Sequence, residues 1–75
     1  MTKPTAEVIK KTLRSEMKRL HTDNVVAVCN IEGKTERLFI REERDGDYYL
    51  TFGTYGDIDS TARLLERLNL VEIES

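Results

Sequence analysis

The chain has little of what most catalytic or membrane-embedded designs require. It carries one cysteine, so no internal disulfide can form, and a lone thiol suits a reducing compartment such as the cytoplasm. It carries one histidine, and with a single Cys beside it most metal and nucleophile constellations cannot be assembled. The longest unbroken apolar run is Val25 to Cys29, far short of the roughly 20 residues a membrane helix takes. The opening Met1-Thr2-Lys3-Pro4 has no apolar region behind its charge, so no export signal is expected. Gly33, Gly46, Gly53 and Gly56 are too dispersed to cradle a phosphate.

What remains is 39% apolar and 35% charged, the balance of a small folded domain rather than of a disordered tail. A chain of 75 residues buries only about 60% of the surface its unfolded form exposes, so one domain over residues 1–75 with one thin core is expected. Ala6, Ile9, Leu13, Met17 and Leu20 recur at spacings of 3 and 4, which predicts a helix over about Pro4–Leu20 with one apolar stripe. Asn24–Ile31 and about Thr35–Glu43 read as strands separated by Glu32-Gly33-Lys34. Asp45-Gly46 is a hairpin signal, and a third strand follows over about Tyr48–Thr54. A second helix is expected over about Ser60–Leu68, with N-caps available in Asp57-Ile58-Asp59-Ser60 and Asn69 suited to a left-handed end. Leu70–Glu74 alternates apolar and acidic residues and reads as a short closing strand. The expected fold is α+β: a three-stranded antiparallel sheet with two helices on one face, in the order α-β-β-β-α, extended by that last strand.

Taken as a two-residue turn, Asp45-Gly46 places Arg41 opposite Leu50, Ile40 opposite Thr51 and Phe39 opposite Phe52. Alternation then gives one sheet face Leu38, Ile40, Glu42, Tyr49 and Thr51, and the other Arg37, Phe39, Arg41, Tyr48, Leu50 and Phe52. The aliphatic set is the expected seat of the helices. The second set has no evident cover, and a contiguous apolar patch marks an interface more often than not. Arg37, Phe39, Arg41, Tyr48, Leu50 and Phe52 are therefore the candidate protein-binding residues, toward a partner or a second copy of the chain.

Charge is divided along the chain. Residues 1–21 hold six basic and two acidic side chains, a net of +4, and residues 22–75 hold six basic and twelve acidic ones, a net of −6. Lys10, Arg14 and Lys18 form a row on the first helix beside its apolar stripe, with Lys3, Lys11 and His21 nearby. Such a row could follow a phosphate backbone, so Lys10, Lys11, Arg14, Lys18 and Arg19 are the alternative, nucleic-acid-binding set. Part of the pattern has a local explanation. Glu7–Lys11 and Glu16–Arg19 are favourable helix spacings, and Lys18 and Arg19 complement the helix C-terminus.

Acidic pairs do not add up to a catalytic or metal site. Asp45 and Asp47 serve a turn, Asp57 and Asp59 a helix start, and Glu42 and Glu43 point to opposite faces of a strand. The lone thiol Cys29 sits in an apolar run and reads as a small buried residue, and His21 reads as the end of the first helix. No enzymatic activity, cofactor, metal, small-molecule substrate or membrane association is expected.

The order α-β-β-β-α at this length resembles the topology of double-stranded-RNA-binding domains. That resemblance implies an RNA contact through the first helix and phosphate contacts from a Lys-rich start to the second. At that place this chain has Asp57-Ile58-Asp59-Ser60-Thr61-Ala62, acidic where the family is basic. Small toxins sharing the fold carry a catalytic His within the sheet, whereas His21 precedes it.

Overall fold

The structure is a computed structural model and describes residues 3–51 and 53–74. Helix α1 spans Ala6–Leu20 and buries Ile9, Leu13 and Met17, the middle of the predicted stripe. Its N-cap is Thr5, whose hydroxyl accepts the Val8 N–H, so Pro4 lies just outside the helix. At the other end His21 adopts a left-handed conformation (φ 52°), and the His21 and Thr22 N–H groups bond back to Lys18 and Met17. These two bonds satisfy carbonyls that the helix end would otherwise leave unpaired.

Strands β1 (Asn24–Ile31) and β2 (Lys34–Glu42) form a regular antiparallel hairpin. Its two-residue turn, Glu32-Gly33, has positive φ at both positions, the geometry whose twist matches the strands it joins. Strand β3 (Tyr48–Leu50) pairs with β2, and β4 (Tyr55–Gly56) pairs with β3. Helix α2 spans Ile58–Arg67, capped by Asp57, whose Oδ1 accepts the Ser60 N–H at 2.8 Å. Asn69 takes the expected left-handed turn, and β5 (Leu70–Glu74) returns antiparallel to the free edge of β1. The sheet therefore has five strands, ordered β4-β3-β2-β1-β5. The α+β class and the last strand agree with the sequence. The strand count does not: the expected third strand ends at Leu50, and Tyr55–Gly56, beyond its expected end, form a further short strand.

The second hairpin also corrects the register. Arg41 pairs with Tyr49 and Ile40 with Leu50, one residue away from the two-residue-turn alignment. The loop is three residues long, Arg44-Asp45-Gly46. Glu43 donates its N–H to Asp47 O at 2.8 Å, and the Gly46 N–H closes on Glu43 O at 3.0 Å. Gly46 sits at φ 88°, the left-handed position such loops place after a tight turn, and glycine occupies it without a Cβ penalty. A slip of one residue sends every following side chain to the other face.

Tyr48 and Leu50 consequently point inward. They join Val25, Ala27, Cys29, Leu38, Ile40 and Leu70 on one face, against Ile9, Leu13 and Met17 of α1 and Ala62 and Leu65 of α2. This is one continuous core, and both helices lie on the aliphatic side of the sheet, as the pattern of Leu38 and Ile40 implied. Each fully buried Ile or Leu contributes about 1.5–3 kcal/mol relative to exposure.

Candidate functional site

Among the described residues, the other face of the sheet carries no helix. Backbone pairing sets its side chains in rows across the strands. Glu74, Val26 and Phe39 form one row, and Phe39 is tied to Thr51 by the Thr51 N–H to Phe39 O bond. Glu72, Val28 and Arg37 form a second row, and Asn24, Arg41, Tyr49 and Tyr55 a third. Phe39, in the middle, is 64% exposed.

Thr51 anchors the strand beneath that ring. Its hydroxyl accepts the Phe39 N–H at 2.7 Å, replacing a ladder bond where β3 has ended. Asn24, Phe39, Arg41, Tyr49 and Thr51 surround a shallow hollow. Arg41 stands 5.6 Å from the Tyr49 ring centre and bonds Glu43 at 2.8 Å. That distance places the guanidinium within cation–π range of the ring. Arg37 reaches across β1 to Glu74 at 3.4 Å, while Glu72 forms no ion pair among the described residues. Val28, between Arg37 and Glu72 in its row, is only 5% exposed although no helix or strand among the described residues covers it. Long charged side chains can cover apolar surface with their aliphatic stems.

Of the six candidate protein-binding residues, the structure brings Arg37, Phe39 and Arg41 together on this face. Tyr48 and Leu50 are corrections. The three-residue loop turns them into the core, where they are 2% and 0% exposed. Phe52 lies outside the described residues. In their place the face gains Tyr49, 39% exposed, and Tyr55, which sequence reasoning missed. The Tyr55 hydroxyl donates to the Asp45 carboxylate and so fastens β4 to the hairpin loop. This bond raises Tyr55 ionisation to about pH 12 and holds Asp45 below its ordinary range.

Tyr48 serves the core side. Its hydroxyl donates to Glu42 at 3.1 Å, and burial, with that carboxylate nearby, pushes its pKa up to about 12.

The basic set on α1 is dispersed by its partners. Lys10 pairs with Asp59 of α2 at 2.9 Å, and Arg19 with Glu16 at 2.7 Å. Lys11, Arg14 and Lys18 are exposed and form no ion pair among the described residues. The second helix begins on Asp57 and Asp59, and Asp57 is held below the usual carboxylate range by the Ser60 N–H. Cys29 is buried, and burial pushes its thiol upward, away from the reactive thiolate. Among the described residues no group of three or more His, Cys, Asp or Glu side chains gathers as a metal site would require. No helix among them is long and apolar enough to cross a membrane.

Compared with known protein families, with curated proteins and with solved structures, the chain finds no match.

Proposed function

We propose that the chain is a small cytoplasmic binding module that acts through protein–protein contact on the uncovered sheet face. The observation that carries this reading is the exposed Phe39 ring at the centre of a five-stranded sheet, flanked by Arg37, Arg41 and Tyr49. Aromatic and Arg side chains dominate the energetics of protein interfaces, and central positions matter most. The hollow beside Phe39 is shallow, and its described lining residues include no carboxylate, imidazole or thiol, which favours a docking surface over a reaction site.

Nucleic-acid binding by α1 is the weaker reading. Two of its five cations are already held by carboxylates, and the second helix presents acid where phosphates would approach.

Photocrosslinking in the native host tests the proposal. Benzoylphenylalanine replacing Phe39 should form crosslinks to protein, whereas the same group replacing Val8, exposed on α1, should not. Crosslinks from position 8 alone, or to RNA or DNA, would refute it.

A further inference from the structure

Asp45-Gly46, in the loop of the second hairpin, is the kind of dipeptide most open to isomerisation of its main chain. The reaction needs no partner. The Gly46 nitrogen attacks Cγ of Asp45, its proton and the carboxyl hydroxyl leave as water, and a cyclic imide closes. Water then adds to either imide carbonyl and gives back aspartate or isoaspartate, whose main chain runs through the side-chain carbons. Glycine favours the attack because no side chain crowds its nitrogen or restricts its backbone. Both residues are exposed, and a Cβ placed on Gly46 would meet no atom within 4 Å, so packing does not shield the pair.

Hydrogen bonds do. We infer that Asp45-Gly46 is a latent isomerisation site held shut by the Tyr55 hydroxyl. Each atom the reaction needs is engaged. Asp45 Oδ1 accepts the Asp47 N–H at 3.0 Å, and Oδ2 accepts the Tyr55 hydroxyl. The attacking nitrogen gives its own N–H to Glu43 O at 3.0 Å. Attack requires the carboxyl to swing toward Gly46 and to carry the proton with which its hydroxyl leaves. Tyr55 opposes both, because it fixes the group and, together with the Asp47 N–H, favours the ionised form. The Asp47 and Glu43 contacts lie within the hairpin itself, so any chain making this turn has them. Tyr55 comes from another strand, ten residues along the chain.

The loop has something to lose. Isoaspartate adds one main-chain atom between Glu43 and Asp47, whose 2.8 Å N–H to O bond sets the register of β2 and β3. The same change moves the carboxylate that holds Tyr55, and with it the pairing of Tyr55 and Tyr49.

Peptide mapping for isoaspartate at position 45, over several weeks at 37 °C and pH 7.4, tests this. The folded chain should convert at least about tenfold more slowly than the same chain in 6 M guanidinium, where no hydrogen bond holds the loop. Tyr55→Phe keeps the ring and removes only the hydroxyl. It should convert about three to ten times faster than the native chain while its circular dichroism stays native, the factor expected from losing one exposed hydrogen bond to an ionised group. Tyr48→Phe removes a hydroxyl from a different carboxylate, Glu42, and should convert at the native rate. A folded chain as fast as the unfolded one would overturn the inference. So would Tyr55→Phe at the native rate, or Tyr48→Phe accelerated as much as Tyr55→Phe, which would mark general loosening rather than a specific clamp.

Discussion

Replacing Leu50 by alanine tests the hairpin register on which the whole surface depends. Leu50 is 0% exposed and packs in the cluster that includes Ile40, Leu13 and Leu65. Truncating a buried Leu removes its transfer free energy and leaves a cavity, at a cost of about 2–5 kcal/mol. A domain of this size has a total stability of roughly 4–11 kcal/mol, so the loss is a large fraction of the whole. At about 4–8 °C per kcal/mol, Leu50→Ala should lower the thermal midpoint by about 8 °C or more. The neighbouring Tyr49→Ala lies on the open face and should cost under about 1 kcal/mol. Urea titrations followed by circular dichroism measure both changes. In the two-residue-turn register the ranking reverses, because Leu50 would face outward and Tyr49 inward. A Leu50→Ala variant less destabilised than Tyr49→Ala would refute the three-residue loop.

Gly46→Ala examines the same loop from its backbone: a Cβ there meets no atom within 4 Å, so the left-handed φ alone sets the cost, about 1–2 kcal/mol by chemical denaturation. Tyr48 and Tyr55 both ionise near pH 12 in the folded chain against about 10 when unfolded, so their contribution is intact below pH 10 and is lost as pH rises toward 12. Absorbance at 295 nm should show two late-titrating tyrosines, and Tyr48→Phe should remove one of them and flatten the alkaline loss of stability. Buried Cys29 should react with Ellman's reagent at pH 8 far more slowly than it does in 6 M guanidinium, and equal rates would contradict its place in the core.

The parts of the fold that local patterning specifies were legible in the residues. Ile9, Leu13 and Met17 mark α1 because 3.6-residue periodicity is a property of the helix alone. Asn69 announces its own left-handed turn. The alternation in Leu70–Glu74 identifies a strand, but nothing local says that its neighbour is β1. The second hairpin failed for a specific reason: Asp-Gly suits both two- and three-residue loops, and Tyr48-Tyr49-Leu50 offers three apolar side chains in a row, so alternation cannot choose between registers. Polar partners make the choice. Tyr48 places its hydroxyl on Glu42 from the inside, and Thr51 uses its side chain to complete the Phe39 backbone. Arg37, Phe39 and Arg41 were placed together correctly because they lie on one strand, whose period of two is independent of any loop. Tyr49 and Tyr55 were missed because their place depends on the loop.

The position of β5 beside β1 has a kinetic consequence. β1 and β2 meet across a two-residue turn, whereas Cys29 and Leu70 are 41 residues apart and Val26 and Glu74 are 48 apart. Closing the longer loop costs about 2.5 kcal/mol more in chain entropy, to be met before the contacts it brings are made. The first hairpin should therefore be formed in the folding transition state while β5 docks late, with φ-values high at Ala27 and Leu38 and near zero at Leu70 and Ile73. During synthesis, β5 is made after the other four strands. Until it arrives, the apolar residues of β1 have an open edge beside them, and Val25 to Cys29 is the segment a nascent chain most needs to keep from pairing with its neighbours. High φ-values at Leu70 would show instead that the closing strand is recruited early and that the edge is never left open.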